Sequence, residues 1–182
     1  MKIYLYNIDD NYIKYLKSFD NSVSDSKVGK RKHSRKYVGA VVEVNNFKYF
    51  APLSSPKPKD YNSDGTIRKD PIFITRIVTV GDDGNLELKG KLLLGNMIPV
   101  IDTVLTKYNP ANETDLNYKT LVIKELDFIT KNRKSIARKA NIIYNQKVGN
   151  YKVSSHATYL NEVVDFTLLE QKALKYNSKS TK

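Results

Sequence analysis

Two hydroxyl groups and an ammonium group stand within four consecutive residues, Ser54-Ser55-Pro56-Lys57. The segment follows an apolar run typical of a β-strand, and groups at a strand end can be held in fixed geometry beside an exposed loop. Such groups suit the transesterification of RNA, which needs a base, an acid and cationic donors for the phosphate. The reaction demands no metal, because the nucleophile is a hydroxyl of the substrate. Taken alone, however, the segment is also typical of a serine turn that satisfies its own backbone.

A run of basic residues precedes the strand that leads to these hydroxyls. Residues 27–36 contain six Lys or Arg residues and no acidic residue. We predict that the later part of this run lies beside the hydroxyls and contacts RNA; it contains Arg31, Lys32, His33, Arg35 and Lys36. His33 is a candidate general base, because an imidazole changes its charge near neutral pH. The alternative is a solvated loop that carries a surface histidine.

A second basic segment lies in the carboxyl-terminal half. Residues 128–161 contain seven Lys or Arg residues and no acidic residue. We predict RNA contacts on the basic helix in this segment from Arg133, Lys134, Arg138 and Lys139, and from Lys59 beside Lys57. The alternative is an amphipathic helix whose outer face is simply soluble.

Composition excludes several kinds of protein. The 182 residues carry a net charge of +12, from 31 basic and 19 acidic residues, with no cysteine and two histidines. Disulfides, cysteine–zinc sites, iron–sulfur clusters and thiol nucleophiles are excluded, and we expect neither metal nor cofactor. Phosphate-loop and dinucleotide fingerprints are absent, and no helix-turn-helix spacing supports a DNA-binding regulator. No apolar stretch resembles a membrane span or signal core, so we expect a cytoplasmic protein with no membrane partner.

The hydrophobic pattern predicts strands first and helices later. We predict a strand over residues 2–8, a hairpin over 37–53 with its turn at Asn45-Asn46, a strand over 72–80 with a partner at 85–89, and an extended segment over 92–101. After Ser54-Ser55-Pro56-Lys57-Pro58-Lys59, the stretch that runs through Asp64-Gly65 to Asp70-Pro71 lacks periodicity and predicts a long exposed loop. Helices are predicted from Asp9-Asp10 to about residue 19, after a cap at Asn112 or Thr114, from Arg133 to Gly149, and briefly near 163–172.

These elements predict one α+β domain over residues 1–176. Its antiparallel β-core spans about residues 1–108 and its helical addition about 112–148. Residues 177–182 are predicted to be a disordered tail.

Several segments together resemble the ToxN/AbiQ family of type III toxin–antitoxin endoribonucleases. They are Ile8-Asp9-Asp10-Asn11-Tyr12-Ile13-Lys14-Tyr15-Leu16, Tyr37-Val38-Gly39, Lys48-Tyr49-Phe50-Ala51-Pro52-Leu53-Ser54-Ser55-Pro56-Lys57, Met97-Ile98-Pro99-Val100 and Phe166-Thr167-Leu168-Leu169-Glu170-Gln171-Lys172. Each is unspecific alone, but their order and spacing together are specific.

The resemblance implies a compact twisted antiparallel sheet with added helices, related to the Kid/MazF toxins. It implies metal-independent cleavage of cellular or phage single-stranded RNA, which leaves a 2′,3′-cyclic phosphate and a 5′-hydroxyl. It also implies a small structured antitoxin RNA, transcribed as tandem repeats that the toxin trims, and a closed protein–RNA assembly. A non-catalytic RNA-binding module is the alternative that we keep open.

The resemblance also implies roles for individual residues. The family motif falls on Ser54-Ser55-Pro56-Lys57, its upstream basic residue on Arg35, and a tyrosine of some members on Arg31. We expect Ser55 to act on the reacting hydroxyl or the leaving oxygen and Ser54 to position the phosphate. Lys57 and Arg35 are expected to stabilise the developing charge. Either Arg31 replaces the tyrosine with a phosphate contact, or the loop aligns differently and His33 or Lys32 matters instead.

Overall fold

The described part of the chain forms an antiparallel sheet of seven strands with four helices packed on it. A computed structural model describes residues 3–26 and 32–176. The strands are β1 Tyr4–Ile8, β2 Tyr37–Val44, β3 Phe47–Ser54, β4 Ile74–Val80, β5 Leu86–Leu93, β6 Ile98–Val100 and β7 Leu105–Tyr108. The helices are α1 Asp10–Lys17, α2 Leu116–Lys131, α3 Arg133–Lys147 and α4 Phe166–Lys175. The predicted α+β class is confirmed.

Strand β3 is the centre of the sheet. The strand order is β4-β5-β3-β2-β1-β7, and β6 pairs with β3 beside this path. The edge of β3 away from β2 pairs first with β6, through residues 48–50, and then with β5, where Ser54 lies opposite Lys91. Ser54 is therefore fixed by a strand pair inside the sheet, and Ser55 is the first residue to leave it.

The hairpin of β2 and β3 forms for local reasons. Asn45 and Asn46 have φ values of 53° and 64°, the left-handed conformation that a two-residue hairpin turn needs and that asparagine tolerates. Gly39 lies opposite Phe50 in the register, and a Cβ at this position would overlap the Phe50 ring. The predicted hairpin is confirmed, and it carries the chain to Ser54.

The helices cover the sheet and share a buried carboxylate. Helix α3 packs on β2, α4 on β6, and α2 on β4 and β5. Glu170 of α4 accepts hydrogen bonds from the hydroxyls of Tyr49 and Tyr144, at 2.7 and 2.8 Å. Burial and the bond to Glu170 raise the pKa of Tyr144 to about 12. This carboxylate joins β3, α3 and α4 in the core.

Three predictions about elements were wrong in part. Strand β7, which pairs with β1, was not predicted. The cap of α2 is Asp115, not Asn112 or Thr114, because its carboxylate accepts the N–H of Tyr118 at 3.1 Å. The segment that follows Lys59 is not simply an exposed loop, since it begins with Asp60, the buried last residue of a 3₁₀ turn, Pro58–Asp60. The predicted tail, residues 177–182, lies outside the described residues.

Candidate active site and RNA-binding surface

Two cavities meet at the end of β3. The Ser55 cavity is lined by Ser54 and Ser55 together with Arg35, Lys36, Lys89 and Glu125, among others. The Lys57 cavity is lined by Ser54, Lys57, Lys59 and Lys91, among others. Ser54 is buried and belongs to both cavities, whereas Ser55 is exposed. The fold thus brings the two predicted hydroxyls together and places Lys57 on the other side of Ser54 from Glu125.

Lys57 is held in place through its backbone by a buried carboxylate. Asp60 accepts the main-chain N–H of Lys57 at 2.8 Å. The same carboxylate bonds Arg76 at 3.0 Å and the ammonium group of Lys91, and all three side chains are buried. Burial alone raises the pKa of Asp60, but the bonds from Lys91, Lys57 and Arg76 outweigh it and hold this pKa below its usual value. The Lys57 side chain itself is left exposed.

Arg35 ties the segment before β2 to the end of β3. Its guanidinium donates to the carbonyl of Leu53 at 2.6 Å and to that of Asp25 at 2.8 Å. It lies in the Ser55 cavity beside Ser54, as predicted. Arg35 therefore fixes the backbone just before the hydroxyls, and its predicted contact with phosphate stays a prediction.

Lys36 is a buried cation in the wall of the same cavity. Its Nζ lies 3.1 Å from the Ser34 hydroxyl oxygen and 4.7 Å from the centroid of the Tyr108 ring. Burial lowers the pKa of Lys36, against the opposing charge of Glu113. The cavity wall thus contains an ammonium group that is costly to keep charged without an anion nearby.

Lys32 and His33 bind the start of α2. Lys32 Nζ lies 2.8 Å and His33 Nε2 3.3 Å from the Oδ2 atom of Asp115. The His33 ring stacks on Tyr118 with centroids 3.8 Å apart. Hydrogen bonds from Lys32, the Tyr118 N–H and His33 hold the pKa of Asp115 well below its usual range. These contacts were not predicted, and they anchor Lys32 and His33 at the start of α2.

The cations of α3 lie apart from the serines. Arg133 and Lys134 line a separate cavity with Ala40 and Val41, and Arg138 is exposed. Lys139 instead binds β4 and the segment before it, because its Nζ lies 3.1 Å from Asp70 Oδ2 and 3.3 Å from the Ile74 carbonyl oxygen. RNA contacts from α3 stay predictions, and Arg31 lies outside the described residues.

Glu125 is a site residue that the sequence interpretation missed. It lies on α2 with 6% of its surface exposed, and it lines the Ser55 cavity. Burial raises the pKa of its carboxyl to about 7. The available signal was its spacing: Glu125 stands three residues after Val122 and four before Ile129, on the buried face of the helix. A glutamate on that face is a buried carboxyl.

Neither a candidate metal site nor a candidate membrane span is present in the part of the chain that the structure describes. No three His, Asp or Glu side chains there converge as a metal ion requires. None of the described helices is long and apolar enough to cross a bilayer.

Sequence comparisons identify relatives along the whole chain. Residues 4–174 match the family described as "Toxin ToxN, type III toxin-antitoxin system". Endoribonuclease AbiQ of Lactococcus lactis subsp. lactis is 33% identical over 181 residues, which cover 100% of this chain and 93% of that protein. Endoribonuclease ToxN of Bacillus thuringiensis subsp. kurstaki is 30% identical over 96% of this chain and 84% of its own length.

Solved structures show the same fold. A structure from work on type III toxin–antitoxin systems, concerning selective toxin inhibition by a non-coding RNA pseudoknot, aligns with a TM-score of 0.80 and 28% identity. The alignment covers 98% of this chain and 99% of that one. The structure of AbiQ, described as a lactococcal anti-phage endoribonuclease of a type III system, aligns with a TM-score of 0.76 and 29% identity over 97% and 98% of the two chains.

Proposed function

The chain belongs to the ToxN family of type III toxin–antitoxin toxins, and from this premise we propose that it is an endoribonuclease that cleaves RNA at Ser54 and Ser55. The cleavage is a metal-independent attack of the ribose 2′-hydroxyl on the adjacent phosphate. It leaves a 2′,3′-cyclic phosphate and a 5′-hydroxyl.

One observation carries this proposal: the family motif lies where two cavities meet and cations surround it. Arg35 and Lys36 line the cavity on one side of Ser54, and Lys57 and Lys59 line the cavity on the other. A polyanion that crosses the end of β3 would meet positive charge before and after the hydroxyls. Cationic donors near a crowded phosphate stabilise the charge that develops on it during transesterification.

We assign the residues different roles according to their burial. Ser54 is buried in a strand pair, so it positions the phosphate. Ser55 is exposed and acts on the reacting hydroxyl or the leaving oxygen. Because a free serine is a poor acid and a poor base, the ammonium group of Lys57 must assist it. Arg35 and Lys57 stabilise the phosphate charge.

The first test of this function uses Ser55→Ala and Lys57→Ala on RNA in excess EDTA. We expect Ser55→Ala to slow cleavage by about 10²- to 10⁴-fold, because it loses a proton-transfer group. Lys57→Ala should slow it by about 10²- to 10³-fold, because a donor to the transition state is removed. Product ends are identified by mass spectrometry, and Ser63→Ala and Lys14→Ala, both exposed in the parent, are the matched controls. If Ser55→Ala cleaves like the parent, the role of Ser55 is wrong.

The same assay separates the nuclease from the alternative, a non-catalytic RNA-binding module. Both proteins would bind RNA in a salt-dependent manner. Cyclic-phosphate ends in EDTA support the nuclease, whereas intact RNA supports the binding module.

We also propose a small structured antitoxin RNA as partner, because relatives of this chain are described with a non-coding RNA pseudoknot as inhibitor. The RNA unit would be cut from tandem repeats by the toxin itself and would occupy the same cationic surface. Toxin and RNA would form a closed assembly, and release of the toxin during phage infection would expose cellular or phage RNA to cleavage. Co-expression with repeats encoded upstream of the reading frame should restore growth and yield trimmed RNA bound to the protein.

A further inference from the structure

The Ser55 cavity contains a buried carboxyl that has no hydrogen-bond or ion-pair partner among the described residues. Glu125 is 6% exposed, yet no described residue donates a hydrogen bond to its carboxyl or forms an ion pair with it. The other buried glutamate, Glu170, accepts two tyrosine hydroxyls. Buried polar groups are nearly always paired, and an exception inside a cavity indicates a ligand or a reaction.

The backbone of β5 makes room for this carboxyl. A Cβ at Gly90 would overlap Glu125 Oε1 and would lie 3.4 Å from the carbonyl oxygen of Ser54. Gly90 therefore leaves space in β5 for the Glu125 carboxyl, and a residue with a side chain would fill that space. At this space the carboxyl of Glu125 lies near the backbone of Ser54, and Ser55 lines the same cavity.

The carboxyl and the ammonium of Lys57 lie in different cavities that share Ser54. In an in-line displacement at phosphorus, the attacking and leaving oxygens lie on opposite sides. The reaction therefore needs one proton-transfer group on each side of the phosphate. The two cavities that share Ser54 offer the Glu125 carboxyl and Ser55 in one and the ammonium group of Lys57 in the other.

We propose that Glu125 is a further catalytic residue, the general base that takes the proton of the ribose 2′-hydroxyl. This inference rests on the proposed nuclease function. The 2′-oxygen gives its proton to the Glu125 carboxylate and forms a bond to phosphorus. The bond from phosphorus to the 5′-oxygen breaks, and that oxygen takes a proton from the ammonium group of Lys57. Water then accepts the proton of Glu125 and returns one to Lys57.

The environment of Glu125 suits a base that works near neutral pH. Burial raises its pKa to about 7, and an efficient catalytic base has a pKa near the working pH. The other charged or titratable side chains of the cavity are Lys32, His33, Arg35 and Lys36 from the segment that leads into β2, Lys89 from β5 and Tyr118 from α2. Five of these six are basic side chains, and Glu125 is the carboxyl group among the described residues that line the cavity.

The test compares Glu125→Gln with the parent in single-turnover cleavage across pH 5 to 9. Glutamine keeps the size of the side chain but cannot take the proton, so we expect a loss of about 10²- to 10⁴-fold in the cleavage rate. Binding of an RNA with a 2′-deoxy nucleotide at the cleavage site should change less than threefold. The parent rate should rise with pH and level off near neutrality, and this rise should be absent from Glu125→Gln. Glu43→Gln, an exposed change of equal charge, is the control.

Other outcomes overturn the inference separately from the function. If the parent cleaves and Glu125→Gln matches it, or changes only the preferred cleavage sequence, Glu125 is not the base. If the parent leaves RNA intact in EDTA, the proposed function fails and the inference fails with it. Should Glu125→Gln not fold, Glu125→Asp decides: a slower enzyme that keeps the rise with pH supports the base, and an unchanged rate contradicts it.

Discussion

Ser54 and Ser55 are neighbours in the chain, yet the end of β3 gives their hydroxyls different environments. Ser54 is buried opposite Lys91, and Ser55 is the first exposed residue after the strand. A hydroxyl that positions a phosphate benefits from rigidity, and one that transfers a proton must reach the substrate. Residues 49–54 are all buried, so the division arises because Ser54 is the last paired residue of β3 and Ser55 lies beyond the sheet.

Glu125 makes stability depend on pH in a direction opposite to that of a paired carboxylate. Its folded-state pKa of about 7 exceeds the ordinary value of 4.5. Between these values the folded protein holds a proton that the unfolded chain releases, so stability falls as pH rises. As the pH rises from 4.5 to 7, the free energy of unfolding of Glu125→Gln should increase relative to that of the parent by up to about 3 kcal/mol. Above pH 7 the difference between the two proteins should stay constant. Urea unfolding at several pH values measures the gain. A difference that does not vary with pH would contradict the raised pKa.

The sequence predicted the residues of the Ser54-Ser55-Pro56-Lys57 motif, but it did not predict all of the contacts that the neighbouring basic residues make. The serines and Arg35 share a cavity as predicted, because a hairpin of known register connects them. The pairing of Lys32 with Asp115 joins residues 83 positions apart, and no local pattern indicates it. A basic run without acidic residues in its own sequence can still find its counter-charges elsewhere in the fold.

The turn that follows β3 depends on Asp60 more than on its own sequence. The carboxylate of Asp60 receives Lys57 N–H, Arg76 and Lys91, and the last two come from β4 and β5. The turn is thus fastened to the sheet on which Ser54 lies. Buried ion pairs of this kind are strongly coupled, because removal of one partner leaves a buried charge uncompensated.

Asp60→Asn should therefore destabilise the protein by about 3–5 kcal/mol, since Lys91 would keep a buried charge without its carboxylate. Urea unfolding measures this destabilisation. Cleavage should also slow at temperatures where the variant is still folded, because the backbone of Lys57 loses its charged acceptor. Asp82→Asn, an exposed change in the turn between β4 and β5, is the control and should stay within about 0.5 kcal/mol of the parent. Equal stability of the two variants would show that the buried pairs contribute little.

Elements with strong local signals were predicted, and the short strand that is defined by a distant partner was not. The β2–β3 hairpin carries its own turn residues, and α1 begins at Asp9, whose carboxylate caps it at 2.7 Å from Asn11 N. Strand β7 is four residues long and is defined by its pairing with β1, about a hundred residues earlier. The burial of Asp60 likewise arises from cations 16 and 31 residues away. Sequence periodicity contains no information on such contacts.

Over the whole molecule, the net charge of +12 divides into cations that hold the fold and cations that face solvent. Lys91, Arg76 and Lys139 bind acidic groups of the protein. Arg133, Lys134 and Arg138 lie exposed on α3. The charge available to a polyanion is therefore smaller than the sum suggests, and its position matters more than its total.

The exposed cations of α3 should contribute to RNA affinity and not to the chemical step, because two of them line a cavity separate from the serines. A triple variant combines Arg133→Gln, Lys134→Gln and Arg138→Gln. Its slope of log affinity against log salt concentration should be shallower by about 0.7 for each phosphate that it no longer neutralises. Filter binding in 50 to 300 mM salt measures this slope, and the single-turnover rate at saturating RNA should match the parent. The control is Lys14→Gln, Lys48→Gln, Lys175→Gln, which removes equal charge from exposed positions elsewhere. If both triple variants lower the slope equally, RNA responds to net charge alone. A lower single-turnover rate in the α3 variant would instead place the helix in the catalytic step.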